Sequence, residues 1–406
     1  MKRESLIAGG LMLLPLLFPV TGCGTGPEPD DVLETFFFDP EIIDGDALTA
    51  FAYEVIIGAK KAPGYTLAVI KDDKLIYKNY AGTVSFTPGL LYTNSFFVNN
   101  NTSEHYAEDS TFPLASSTKF FVAAVIFKMV EDGLIVSIND PVKNYISEMH
   151  YGDITIFHCL THSTGINFAA ATNKQDIAGG KLNPEWLQDV YTSQAAKLYT
   201  TGNESRYSAS YAILLDLISR ISGETADAYA YENIFKHCGM EDTFFDWTKV
   251  DQSRVLMKSQ INATTGTEGL FLNSTRADST GNAGLFSTID DMANFARMML
   301  NDGMFEGTQV FEKETIDKLA EPVPNWSRAI GAFQKTTVQP NIRRNLFPAS
   351  AGPLAFGHPG SNGDGIVIDR QNNLAYAIMM NEGTNATASE YLLLANVFEK
   401  IYGLLK

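Results

Sequence analysis

Between Ser116 and Gly133 the chain carries the run SSTKFFVAAVIFKMVEDG, in which Phe120, Phe121, Val122, Val125, Ile126, Phe127, Met129 and Val130 leave almost no polar side at helical spacing. A helix that is apolar nearly all round is stable only when other elements surround it. Gly133 can supply the left-handed residue that stops such a helix. The rest of the chain must therefore enclose this segment. With 406 residues there is enough chain for two lobes of ordinary domain size, and 45% hydrophobic with 19% charged residues describes a folded protein.

The segments that could do the enclosing differ between the ends and the middle. Near the start, a helical pattern over Asp46 to Lys61 ends at Pro63-Gly64. Two strand-like runs, Tyr65 to Ile70 and Leu75 to Tyr80, then flank the turn Lys71-Asp72-Asp73-Lys74. Near the end, Gly365 to Asp369 and Leu374 to Met380 flank Arg370-Gln371-Asn372-Asn373, and an amphipathic helix runs from about Ser389 to Leu404. Between them helical patterns dominate, including Ile154 to His162, Ser210 to Ile221 and Ile289 to Leu300, the last capped by Ser287-Thr288 and followed by Gly303. The stretch Thr83 to Asp109, polar, aromatic and rich in Asn, reads as a surface insertion. The predicted fold is α/β (α+β): one sheet closed by the two ends and flanked by helices, with a helical lobe inserted. Residues 46–135 and 285–406 form the sheet-bearing lobe, and 136–284 the helical one.

The first residues read as an export signal. Lys2 and Arg3 precede an apolar stretch, Leu6 to Val20, which is shorter than the roughly 20 residues of a membrane-spanning helix. Residues 1–22 are thus a signal peptide and 23–45, which begin with Gly, Pro and acidic residues, a tether. Val20-Thr21-Gly22-Cys23 resembles the lipobox of bacterial lipoproteins. That resemblance implies lipidation of Cys23, a lipid-anchored place in the bacterial cell envelope, and a globular part outside the cytoplasm. An ordinary secretory signal is the alternative. Cys159 and Cys238 sit in apolar settings and read as unpaired core thiols, although an exported protein could join them. A formal charge of −17 argues against a nucleic-acid partner, and the six His and three Cys lack metal-ligand spacing. Neither a metal nor a cofactor is called for.

Ser116 and Lys119 stand three residues apart, so at helical spacing the amine can reach the hydroxyl. A serine hydroxyl is a weak nucleophile until a base activates it. Ser-x-x-Lys alone is a weak motif, but this chain adds context to it. The segment from Asp109 to Lys119 resembles the Ser-x-Thr-Lys segment of the β-lactamase-related serine hydrolases, the family of class C β-lactamases, D-amino-acid peptidases and related esterases. The resemblance continues in order through Asp140-Pro141-Val142, Ile154 to Gly165 and Gly284 to Met292, and spans about Asp46 to Leu404.

What the resemblance implies is a β-lactamase-like fold and acyl transfer through Ser116 on a small ester, amide or D-amino-acid peptide. Tyr207-Ser208-Ala209 corresponds to the family's second motif, usually Tyr-x-Asn, so Tyr207 would exchange protons with Ser116, assisted by Lys119. Ala209 stands where the substrate-binding Asn usually does and has no donor or acceptor to offer. An alternative register would put Arg206 in the tyrosine's place, but the spacing to Leu214-Leu215 favours Tyr207. His358-Pro359-Gly360-Ser361 resembles the His-x-Gly that replaces Lys-Thr-Gly in many members. There His358 would bind a substrate carboxylate or assist proton transfer, Gly360 would let substrate approach, and the N–H groups of Ser361 and Ser116 would form an oxyanion hole. Pro359 lacks an N–H, which predicts an edge strand. His162 reads as a satisfied polar residue of a structural turn near the helical lobe's surface. The altered motifs leave two other readings open: a catalytically weak, penicillin-binding-like envelope protein, and a β-lactamase.

Overall fold

A computed structural model describes residues 35–59, 61–62, 64–82, 109–168, 184–192, 196–251, 254–256, 259–261, 268–270, 281–324, 326, 328–335, 346–361, 363–380 and 388–406. The proposed signal peptide, Cys23 and nearly all of the Thr83–Asp109 insertion lie outside the described residues.

Thirteen short strands occur among the described residues. Seven of them form one antiparallel sheet: β1 (Thr35–Phe38), β2 (Gly64–Lys71), β3 (Lys74–Gly82), β10 (Phe333–Gln334), β11 (Phe356–Pro359), β12 (Gly365–Asp369) and β13 (Leu374–Met380). The order across it is β1-β3-β2-β13-β12-β11-β10, so the two ends of the chain meet at the β2–β13 pair, where Leu67 faces Ile378. The remaining strands pair in twos: β4 (Phe112–Leu114) with β7 (Leu285–Ser287), β5 (Ser259–Ile261) with β6 (Glu268–Leu270), and β8 (Met304–Phe305) with β9 (Thr308–Gln309).

Local chemistry explains the predicted hairpins. Asp72 and Asp73 both adopt positive φ, 49° and 64°, as a two-residue turn of right-twisted strands requires. Along β2 the buried side chains alternate between two cores: Ala68 and Ile70 face one, Leu67 and Val69 the other. The first core also holds buried residues of the central helix Thr118–Glu131 and the helices Tyr211–Ser222 and Ile289–Leu300, and most of the buried apolar side chains described in the inserted segment. The second packs the helix Gly45–Tyr53 and the final helix Ala388–Leu404 on the opposite face of the sheet. Main-chain bonds from Asp44 N–H to the Leu404 carbonyl (3.1 Å) and from Lys406 N–H to the Ile42 carbonyl (2.9 Å) fasten the end of the described chain to its beginning.

The central helix is as buried as its sequence demands, from Thr118 through Phe127 without a break. It ends as predicted: Gly133 has φ +77°, Leu134 N–H bonds the Met129 carbonyl at 2.9 Å and Gly133 N–H the Val130 carbonyl at 3.1 Å. That pair of bonds satisfies the helix's last carbonyls. Both remaining cysteines are buried and free, and burial raises both thiols, Cys238 to about 12.

Four details differ from the sequence reading. Residues read as the end of a tether include the edge strand β1, which pairs with β3 from Thr35↔Tyr80 to Phe38↔Tyr77. The first helix is α only over Gly45–Tyr53 and continues as a π turn over Glu54–Gly58. The inserted segment is not wholly helical, because it contains the β5–β6 hairpin. Pro359 is not on an edge strand. β10 lies outside β11, but its register partners stop at Gly357, so Pro359 extends past the end of β10 and no ladder bond to it is lost.

Candidate active site

Ser116 lies on a tight turn between β4 and the central helix, not on the helix itself. Thr118 N–H bonds the Ala115 carbonyl and Lys119 N–H the Ser116 carbonyl, both at 3.1 Å, and Phe120 N–H bonds the Ser117 carbonyl at 3.0 Å. In such three-residue turns, side chains at i and i+3 nearly eclipse. That is the local reason Lys119 Nζ comes to 3.5 Å from Ser116 Oγ. The contact is long for a hydrogen bond, of the kind that tightens when substrate binds.

Three neighbouring side chains fix the turn. Ser117 Oγ donates to the His358 carbonyl (3.1 Å), joining the turn to β11. Thr118 Oγ1 donates to the Leu114 carbonyl (2.6 Å) and accepts from Leu285 N–H (3.2 Å), joining it to β4 and β7. One turn further, Phe120 packs edge-on against Phe295 (centroids 5.6 Å apart) and Phe356 (6.1 Å), which locks the helix against β11 and the helix Ile289–Leu300.

Tyr207 arrives from a segment 91 residues away, and its hydroxyl donates to Ser116 Oγ at 2.6 Å. Lys119, only 2% exposed, donates to the Asn282 carbonyl at 2.6 Å, and its Nζ stands 4.5 Å from the centre of the Tyr207 ring and 5.9 Å from that of Tyr211. A buried ammonium is costly to desolvate, so a lysine held like this has to be stabilised by oriented oxygens and ring faces. Burial raises the Tyr211 hydroxyl, which donates to the Leu160 carbonyl at 3.0 Å and stays a structural phenol. The structure thus brings Ser116, Lys119 and Tyr207 together.

The other expected site residues are at the end of β11. His358 is 4% exposed, with Nδ1 2.7 Å from the Pro359 carbonyl and its ring 5.0 Å from Phe333. A carbonyl accepts only, so Nδ1 carries the proton. Gly360 has no room for a side chain, since a Cβ there would meet the Asp364 carboxylate at 2.0 Å. Ser361 follows, half-buried, at the strand's end. Ala209 is half-buried against the larger core, and its carbonyl accepts from Asn282 Nδ2 at 3.3 Å.

Sequence reasoning missed two residues. Asn282 holds Lys119 through its main chain, which leaves no side-chain signature. His162 is not at the surface: it is 2% exposed and its ring lies 4.6 Å from that of Tyr207. Its flanks Thr161, Ser163 and Thr164 made the stretch look solvated, but all three are buried and bonded within the turn.

Comparison with known proteins gives one family. The family model described as Beta-lactamase matches residues 51–396. A relative from Escherichia coli O157:H7, provisionally named D-alanyl-D-alanine carboxypeptidase, is 24% identical over 353 residues, covering 79% of this chain and 78% of its own. Among solved structures, a family VIII carboxylesterase superposes with a TM-score of 0.70 at 16% identity, over 91% of this chain and 99% of that one. A penicillin-binding protein homologue from Caulobacter crescentus gives 0.69 at 16% identity, over 90% and 99%.

Proposed function

The chain belongs to the β-lactamase family of serine hydrolases, and from that membership we propose that it works by acyl transfer through Ser116, preferring small esters to amides. The observation that carries the reading is the convergence of Tyr207 (2.6 Å) and Lys119 (3.5 Å) on Ser116 Oγ. In the proposed reaction Tyr207 reacts as the phenolate, the form the Lys119 charge favours: the Ser116 oxygen attacks the substrate carbonyl as its proton passes to that phenolate oxygen. The N–H groups of Ser116 and Ser361 hold the oxyanion. Tyr207 then gives its proton to the departing alkoxide or amine. Water attacks the Ser116 ester by the reverse sequence and releases the acid.

Ala209 supports the preference for esters. A peptide or β-lactam amide presents polar atoms that a side chain at this position would bind, and a methyl group binds none. An ester does not depend on that contact. His358 supports the site through its carbonyl, which takes the Ser117 hydroxyl, more than through its buried ring. We therefore assign it a role in holding β11 to the nucleophile turn.

A substrate panel tests this reading. Short-chain nitrophenyl esters are expected to turn over at least about tenfold more efficiently than D-amino-acid amides or a D-alanyl-D-alanine peptide, a difference a missing polar contact commonly makes. Chromogenic cephalosporin is expected to be slow. Equal or better hydrolysis of the peptide or the cephalosporin defeats the ester preference. Ligand-induced stabilisation with no turnover of any member would favour the silent binding protein instead.

We also propose that Cys23 carries the lipid that holds the protein on the cell envelope, a reading supported by Val20-Thr21-Gly22-Cys23 at the end of the apolar leader. Radiolabelled palmitate is expected in the wild-type protein and not in Cys23→Ala; equal labelling, or none in either, rejects the anchor.

A further inference from the structure

Tyr207 is 37% exposed and stands on a stretch, 204–208, that is neither helix nor strand. Irregular backbone does not by itself hold a reacting oxygen to a fraction of an ångström. Here one residue holds it from both sides. The His162 carbonyl accepts from Arg206 N–H at 3.0 Å, and His162 Nδ1 accepts from Ser208 N–H at 3.2 Å. Both peptide neighbours of Tyr207 therefore hang on His162, while its ring packs on Tyr207 at 4.6 Å with a 35° tilt and on Tyr211 at 5.2 Å.

His162 is itself unusually constrained. Its φ is +56°, a left-handed conformation uncommon outside glycine. It is fixed there by its own N–H on the Cys159 carbonyl (3.3 Å) and by Tyr199, whose hydroxyl donates to the His162 carbonyl (3.2 Å). Non-glycine residues in such conformations tend to persist where surrounding contacts over-determine them, often beside functional groups.

We infer that His162 is the positioning residue for Tyr207 and that it performs this role only as a neutral imidazole. The inference rests on the proton-transfer role proposed above for Tyr207. To accept from Ser208 N–H, Nδ1 must present its lone pair. A proton on Nδ1 would set N–H against N–H and release one flank of Tyr207. Ser210 Oγ, 3.1 Å from Nδ1, already donates to the Cys159 carbonyl at 2.7 Å, so it would become the acceptor of that new proton and draw the ring away from Ser208. Around the cluster stand the Tyr207 and Tyr211 rings, the Lys119 ammonium beyond them, the Cys159 thiol, the Tyr199 phenol, and Arg206, which pairs with Glu204 and lies over the Tyr199 ring at 5.1 Å. The Lys119 ammonium already draws on both tyrosine rings, and its charge opposes a second cation beside them.

The test compares His162→Leu and His162→Asn, each in the wild-type and Tyr207→Phe backgrounds, on a nitrophenyl ester. Leu removes the Nδ1 acceptor. Asn tolerates positive φ and can offer Oδ1 to Ser208 N–H. His162→Leu is expected to lower kcat about 100-fold with KM little changed, the loss typical of an ångström-scale displacement. His162→Asn is expected to recover most of that loss and to lack the acid-side fall in kcat that protonation of His162 causes in wild type. In the Tyr207→Phe background, His162→Leu should cost little more, because it acts through the missing hydroxyl. A full additional loss there, or an unchanged acid limb in His162→Asn, overturns the inference, and the second result decides even if His162→Leu does not fold. A slow Tyr207→Phe beside fast His162 variants sinks the clamp alone. A fast Tyr207→Phe sinks the role of Tyr207 and the clamp with it.

Discussion

Ser116→Ala is expected to abolish ester turnover, lowering kcat on the order of 10⁴-fold or more, and to remove all labelling by a fluorophosphonate probe. The structure makes this a clean experiment, because the Ser116 side chain contributes little to the fold. Its Oγ hydrogen-bonds to Lys119 and Tyr207, whereas the main-chain bonds that form the turn do not involve Oγ. Lys119 keeps the Asn282 carbonyl at 2.6 Å when the hydroxyl is gone. The melting temperature should therefore change little. Ser117 is the necessary control, as a second hydroxyl one residue away. It is fully buried and donates to the His358 carbonyl, so Ser117→Ala should still take the label. Label retained in Ser116→Ala and lost in Ser117→Ala would move the nucleophile by one residue and undo the proposed mechanism.

Legibility of this molecule in its sequence followed the range of the interactions concerned. The central helix, the helix Ile289–Leu300 and the two hairpins are specified within windows of about fifteen residues, by apolar spacing, caps and turn residues. Ser116 and Lys119 belong to the same class, since one tight turn brings them together. β1 was not legible because its four residues form a strand only by pairing with β3, some forty residues later, beside a segment of Gly, Pro and acid. The place of Pro359 depended on where β10 ends, and β10 is two residues long. The burial of His162 is hidden in the sequence for a related reason: its polar neighbours look solvated until residues 199–210 fold over them. Tyr207 stands out in the sequence only through resemblance to a family motif. Nothing local distinguishes it from the other sixteen tyrosines of the chain.

Tyr207→Phe separates the chemical role of that tyrosine from its packing. The ring contributes the contact with His162 and a face for the Lys119 ammonium, and phenylalanine preserves both. Only the hydroxyl 2.6 Å from Ser116 is lost. A positioned proton-transfer group contributes about 10²- to 10⁴-fold, so kcat is expected to fall within that range while KM changes little. Fluorophosphonate labelling should slow in step, because attack by Ser116 needs the same base. If Lys119 alone were the base, Tyr207→Phe would retain more than about a third of wild-type kcat, and Lys119→Met would carry the whole loss. The geometry argues against that outcome. Lys119 Nζ is held by a carbonyl at 2.6 Å and stands 3.5 Å from the nucleophile, whereas the tyrosine oxygen is almost an ångström closer, on a segment with one edge open to solvent. An oxygen so placed can take the serine's proton and then reach the leaving group and the incoming water. The lysine, enclosed behind the tyrosine ring, serves the charge of that oxygen.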